Sequence, residues 1–213
     1  NRIDFESARK THVVLFDNRD CGLSHKHHGV VVETDKVTMQ AMMGEEVTVP
    51  VPYTLHDMAD DALGVLDHLG IEKAHVLGAS MGGMIAQTFA LRHAYRMHSL
   101  TSIMSVPGDL AYGTPTDEAL AALLAPPPPS REAYIDSAKN WAVWCSKKYF
   151  DIDEARERAA REFDRSFYPE GTQRQLAAIY ASGDRSEGLR QLTVPTLVIH
   201  GRDDTLLTPS GGE

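Results

Sequence analysis

Apolar residues fall along this chain in two rhythms. Short unbroken runs predict buried strands: Val13-Val14-Leu15-Phe16, Ala74-His75-Val76-Leu77, residues 99–104 and residues 194–199. Between them the spacing is helical. Leu55, Met58, Ala59, Ala62, Leu63, Leu66 and Leu69 share one face, with Thr54 and Asp57 placed as a capping box and Gly70 as the residue that ends the helix. Met84, Ile85, Thr88 and Phe89 predict a second helix. Strands alternating with helices from residue 11 to 105 imply an α/β fold with a doubly wound, mostly parallel sheet. After the turn Ser105-Val106-Pro107-Gly108 the pattern becomes helical, at 116–124, 131–149, 153–165 and 172–182. Pro126 to Pro129 reads as an extended spacer between the first two of these helices. The expected organisation is a core of residues 1–106 and 191–213, incomplete as it stands, with a helical lid at 107–190.

Composition narrows the class. The chain has 213 residues, 42% hydrophobic and 24% charged, as in a soluble globular protein with one substantial core. Thirty acidic against 21 basic residues give a net charge of −9, which argues against nucleic acid and anionic membranes as partners. No apolar run approaches the length of a membrane span. Cys21 and Cys145 make no disulfide framework and fit a reducing compartment, so a cytoplasmic location is expected. The chain begins at Asn1 without a methionine.

The chemistry concentrates at Gly78-Ala79-Ser80-Met81-Gly82. A G-x-S-x-G run between a strand and a helix reads as a nucleophile elbow, in which glycines 78 and 82 permit the tight turn and the serine hydroxyl is lifted to the rim of the sheet. The Met81 amide then opens the helix and points at a developing oxyanion. A dinucleotide-binding loop is disfavoured, because the glycines fall at 78, 82 and 83 rather than in a G-x-G-x-x-G register. Two more segments join the elbow. Upstream, the first apolar run leads into Asp17-Asn18-Arg19-Asp20-Cys21-Gly22-Leu23-Ser24; downstream, Val194-Pro195-Thr196-Leu197-Val198-Ile199 ends in His200-Gly201-Arg202-Asp203-Asp204, with Pro209 beyond.

Together these three motifs, in this order, resemble the α/β-hydrolase fold superfamily, and within it the bacterial esterase-like serine hydrolases with a helical lid. The likeness covers nearly the whole chain and is weakest between about residues 107 and 190. It implies Ser80 as nucleophile, Asp204 as the carboxylate that orients a histidine, with Asp203 as its near competitor, and the Met81 amide as one oxyanion donor. It implies a small-molecule ester as substrate, and no cofactor or metal. Tyr134, Trp141, Trp144 and Phe150 fall in the lid region; their spacing suits the core of the lid first, and Trp141 and Trp144 are candidates for its substrate pocket.

The histidine is the difficulty. All ten histidines precede Asp204. His75 and His200 lie on strand residues and read as structural, and His25, His27 and His28 cluster in a loop whose spacing fits no metal site. In the resembling proteins the base follows the acid, so it is expected beyond Glu213. The second oxyanion donor is expected before residue 1, on a loop after a strand lying between those of Val13–Phe16 and Val76-Leu77. These residues are therefore expected to belong to a longer chain and to be nearly inert alone. Two other readings stay open: a cofactor-free haloperoxidase or perhydrolase, which uses the same residue types, and a non-catalytic binding protein on the same scaffold.

Overall fold

The computed structural model describes residues 12–213. Among the described residues three parallel strands form one sheet in the order β1 (Ala74–Ala79), β2 (Met97–Ile103), β3 (Thr196–Ile199). The helices among the described residues are α1 (Thr34–Met42), α2 (Leu55–His68), α3 (Met81–His93), α4 (Asp117–Leu123), α5 (Arg131–Ser137), α6 (Ile152–Ser166), α7 (Pro169–Ala181) and α8 (Ser186–Arg190). None is long and apolar enough to cross a membrane.

Helix α2 begins and ends where its sequence directs. The Thr54 amide donates to Asp57 Oδ2 at 2.7 Å, which satisfies a donor that the first turn would otherwise leave free. Gly70 takes φ 67°, and the Ile71 amide behind it donates to the Leu66 carbonyl at 2.9 Å. The inward face of α2 buries Leu55, Met58 and Ala59 against Met84, Ile85 and Phe89 of α3 and Leu100 of β2. Each large apolar side chain buried there contributes roughly 1.5–3 kcal/mol. Helix α3 thus packs on α2 and also over β1 and β2, which fixes the turn between β1 and α3 against the sheet.

Helices α5 and α6 and the 3₁₀ turn Ala138–Val143 make a small core of their own, with Ala138, Ala155 and Ala159 buried beneath Tyr134, Trp141 and Phe150. Helices α7 and α8 behave differently. Ala178 joins the main core, α7 packs on α1, and α8 packs on α3.

Four expectations change. Val13–Phe16 forms no strand; Val13, Leu15 and Phe16 are 45%, 72% and 45% exposed. A strand exists only through pairing, and no described strand lies beside this segment, which faces helix α2 across a groove of about 850 Å³. Strand β3 is short, and all four of its residues are exposed instead of buried, because β2 is its only described neighbour. The helix expected at 131–149 ends at Ser137, whose hydroxyl donates to the Tyr134 carbonyl at 2.7 Å, and the chain tightens into the 3₁₀ turn. Helix α1 has no counterpart in the sequence pattern; it buries only Thr34 and Val37, too few positions to show a period.

Candidate active site

Strand β1 leads directly into Ser80, which adopts φ 54° and ψ −123° before helix α3 begins. A residue with a Cβ is strained in that region, so surrounding contacts must hold it there. They do. The Ser80 amide donates to the Ile103 carbonyl at 2.9 Å, and the Ser80 carbonyl accepts from the Gly83 amide at 2.9 Å, the Met84 amide at 3.2 Å and Ser105 Oγ at 3.0 Å.

The glycines explain how helix and strand approach so closely. A Cβ on Gly78 would sit 1.9 Å from the Gly82 carbonyl oxygen, and one on Gly83 would sit 2.5 Å from Ser105 Cβ. A Cβ on Gly82 would meet nothing within 4 Å. Close approach is therefore required at positions 78 and 83; the second glycine of the G-x-S-x-G run supplies a carbonyl that packs on Gly78, not a space that must stay empty.

Ser80 opens onto a cavity of about 1120 Å³. Met81 and Met84 line it from α3, Leu110 from the loop after β2, Tyr180 from α7 and Leu206 from the loop after β3. Met81 is the first residue of α3, so its amide has no partner within the helix.

Asp204 lies on the loop leaving β3, and its side chain is 12% exposed. Its Oδ1 accepts from the Leu206 and Leu207 amides at 2.9 and 3.0 Å, folding the loop back so that both leucines reach the cavity. Asp204 does not itself line that cavity. The strand ends stand side by side: the Ser80 amide bonds the last residue of β2, and the Met104 amide bonds the last residue of β3 at 2.8 Å. One strand separates β1 from β3, which sets their carboxyl ends about 10 Å apart. Asp203 is exposed.

His200 Nε2 lies 2.6 Å from the Leu207 carbonyl and 4.0 Å from Asp204 Oδ2. No histidine lines the Ser80 cavity among the described residues. Trp141 and Trp144 do not line it either. Trp141 packs on the core of α5 and α6 with the Arg158 guanidinium over its ring, the core position its helical spacing suits first.

The 17–24 segment is a scaffold beside the site. Asp17 Oδ2 accepts from the Leu23 amide at 2.9 Å, and the Ser24 hydroxyl donates to the Asp17 carbonyl at 2.7 Å. Gly22, at φ 53°, has no room for a Cβ, which would fall 2.1 Å from Asp17 Cγ. Arg19 reaches Asp61 of α2 through two bonds of 2.6 and 2.7 Å. Cys21 and Cys145 are both free thiols.

Sequence reading missed the polar residues that matter most to this scaffold. Asp20 is buried at φ 64° and accepts from Arg174 of α7, from the Tyr53 hydroxyl at 2.7 Å and from the His27 amide at 2.7 Å. Burial alone would push the Asp20 carboxyl up; the Arg174 guanidinium, the His27 amide and the Tyr53 hydroxyl outweigh it and hold it well below the usual carboxylate range. Behind the elbow, buried Arg185 bonds Gln87 at 3.3 Å and the Val106 carbonyl at 3.0 Å, and Gln87 bonds Ser102 at 3.2 Å. Burial lowers Arg185 to about 10, with Asp184 opposing the shift. No local pattern marks these residues, because their partners are distant in sequence.

Known proteins resemble this chain in sequence and fold. The chain is 30% identical over 169 residues to 3-oxoadipate enol-lactonase 1 of Acinetobacter baylyi, covering 75% of this chain and 58% of that one. It is 31% identical over 156 residues to 2-hydroxymuconate semialdehyde hydrolase of Pseudomonas sp. strain CF600, covering 70% and 51%. The crystal structure of the enol-lactonase from Burkholderia xenovorans LB400 superposes with a TM-score of 0.61 at 24% identity, over 92% of this chain and 64% of that one. The chain thus spans less than two thirds of the length of each of these proteins. Residues 5–213 match the family model for the alpha/beta hydrolase fold, and the chain belongs to that family.

Proposed function

We propose that this chain carries the nucleophile and acid of a serine hydrolase that cleaves a carboxylic ester, or a similar acyl bond, of a small molecule. The observation that carries the reading is Ser80: a strained residue, clamped by four hydrogen bonds through its backbone, opening onto a large cavity at the start of a helix. Strain of this kind persists where the position of one side chain matters. The resemblance to a lactonase, whose substrate is a cyclic ester, supports acyl cleavage as the reaction class, and the resemblance to a semialdehyde hydrolase supports hydrolysis.

In this reading Ser80 Oγ attacks the carbonyl carbon while an imidazole takes its proton. Asp204 fixes that imidazole. No histidine lines the Ser80 cavity among the described residues. The Met81 amide donates to the oxyanion, joined by a second amide. The imidazolium returns its proton to the leaving alcohol, and water then cleaves the acyl-enzyme by the same steps. The helical segment 107–190 acts as a lid, with Leu120 and Leu123 of α4 and Leu176 and Tyr180 of α7 lining the cavity. The free thiols Cys21 and Cys145 suit action in the cytoplasm.

The test is covalent. A fluorophosphonate applied to the intact protein should add its phosphonyl mass to the peptide containing Ser80, and Ser80→Ala should abolish the adduct. An unlabelled wild-type protein would leave a binding role on the same scaffold.

A further inference from the structure

The Ser80 cavity is apolar inside and acidic at its margin. Met42, Met84, Leu110, Leu120, Leu176 and Leu206 contribute apolar surface. The charged lining residues are Glu45, Glu46, Asp109 and Asp184, and no lysine, arginine or histidine lines the cavity among the described residues. Glu45 and Glu46 come from the exposed segment after α1, and Asp109 from the loop after β2. Glu45, Glu46 and Asp109 have no ion-pair partner within 4.0 Å among the described residues. Asp184 differs. It accepts from the Ser186 amide and hydroxyl at 2.8 and 2.6 Å, and Arg185 and Arg190 offset its charge.

We infer that this cavity selects an apolar ligand that carries no negative charge, neutral or cationic, and that Glu45, Glu46 and Asp109 enforce the choice. The inference rests on reading the cavity as the substrate pocket and adds the class of substrate. The sign of the field decides which ligands enter. Bringing a carboxylate into the cavity requires a cationic partner or retained water, and the described lining presents carboxylates in place of a cation. Low-dielectric walls focus the field of the three carboxylates into the cleft, which repels an anion and draws a cation. At separations of about 10 Å their sum amounts to roughly a tenfold discrimination against a single negative charge at low salt. Salt screens such exposed charges, so the preference should weaken as ionic strength rises.

Three ligands of matched shape test this without requiring turnover: 4-phenylbutanamide, 4-phenylbutanoate and 4-phenylbutyltrimethylammonium. Each is titrated into the protein while the amide resonances of Met81 and Leu206 are followed by NMR, at about 20 mM and about 0.5 M salt. The expected result is that the carboxylate binds about tenfold more weakly than the amide at low salt, that the trimethylammonium compound binds at least as tightly as the amide, and that salt narrows the gap. The triple variant E45Q/E46Q/D109N should narrow it at low salt as well. All three positions lie outside helices and strands, and the asparagine introduced at position 109 keeps the oxygen that accepts from the Ala111 amide. A carboxylate that binds as tightly as the amide, a gap untouched by the triple variant, or no binding by any of the three overturns the inference. The hydrolase reading fails separately: an unlabelled Ser80 sinks it whatever the ligand preference, whereas a labelled Ser80 with tightest binding of the carboxylate sinks only the charge selectivity.

Discussion

Asp20 and Arg174, 154 positions apart, form a buried ion pair with Nε to Oδ2 at 2.8 Å and Nη2 to Oδ1 at 3.1 Å, their side chains 0% and 3% exposed. The pair ties the 17–24 loop to α7, one wall of the Ser80 cavity, and a Cβ on Gly171 in α7 would fall 2.1 Å from the Asp20 carbonyl oxygen. Removing one partner strands the other charge, so Arg174→Met should lower stability by about 3–5 kcal/mol in urea unfolding. Arg174→Lys, which keeps the charge but loses the two-pronged geometry, should fall between. The pH dependence follows from the depressed Asp20 carboxyl. The unfolded carboxyl binds its proton near the ordinary value of about 3.9, while the folded one resists, so the pair's contribution is complete above that value and is lost as pH falls through the lower folded value. Wild-type stability should therefore drop below about pH 4 with a steeper slope than that of Arg174→Lys; equal slopes would show that Asp20 is not held charged by Arg174.

The elbow glycines make opposite predictions. Gly78→Ala forces a Cβ into the Gly82 carbonyl at 1.9 Å. Backbone on both sides must move, and the cost should be at least about 1–3 kcal/mol. Gly82→Ala meets open space within the first turn of α3 and should be neutral, or stabilising by up to about 1 kcal/mol through helix propensity. Chemical denaturation of the two variants checks this directly, and equal losses at both positions would contradict the packing described for the turn.

Ser80 itself sets stability against activity. Glycine accepts φ 54° freely, so Ser80→Gly should raise the unfolding free energy by about 1 kcal/mol while removing the proposed nucleophile. Ser80→Ala keeps a Cβ in the strained region and should leave stability close to wild type, with turnover of ester substrates by the intact protein reduced about 10⁶-fold. A Ser80→Gly protein less stable than wild type would mean that the hydroxyl, not the backbone clamp, holds the turn.

What could be read from sequence follows the range of each interaction. Thr54, Asp57 and Gly70 act within a few residues of helix α2, and their pattern announced both of its ends. The β1-to-α3 turn was legible because its restraints fall between Gly78 and Met84, apart from those from Ile103 and Ser105. Val13–Phe16 was legible as apolar but not as unpaired, since a strand's state depends on neighbours that its own residues do not specify. Trp141 was legible as lid core from its helical spacing, whereas its second reading as a pocket residue could not be decided there, because spacing does not say which cavity a neighbouring face adjoins. Asp20 and Arg174 stayed invisible because a long-range ion pair leaves no local pattern.

The choice between neighbouring carboxylates can be settled by one pair of variants. Asparagine at position 204 separates the loop contacts of Asp204 from the catalytic role proposed for it. Asp204 Oδ1 organises the loop by accepting from the Leu206 and Leu207 amides, and the side-chain oxygen of an asparagine can still accept there. Its charge is what would hold an imidazole in the right tautomer, and asparagine lacks it. Asp204→Asn should therefore unfold near the wild-type midpoint yet lose about 10⁴-fold in turnover of a short-chain nitrophenyl ester by the intact protein. Asp203 is exposed, so Asp203→Asn should stay within about 0.5 kcal/mol in stability and keep its turnover. If Asp203→Asn lost the activity and Asp204→Asn kept it, the acid would move one residue along the loop, and Asp204 would be left with only its part in presenting Leu206 and Leu207 to the cavity.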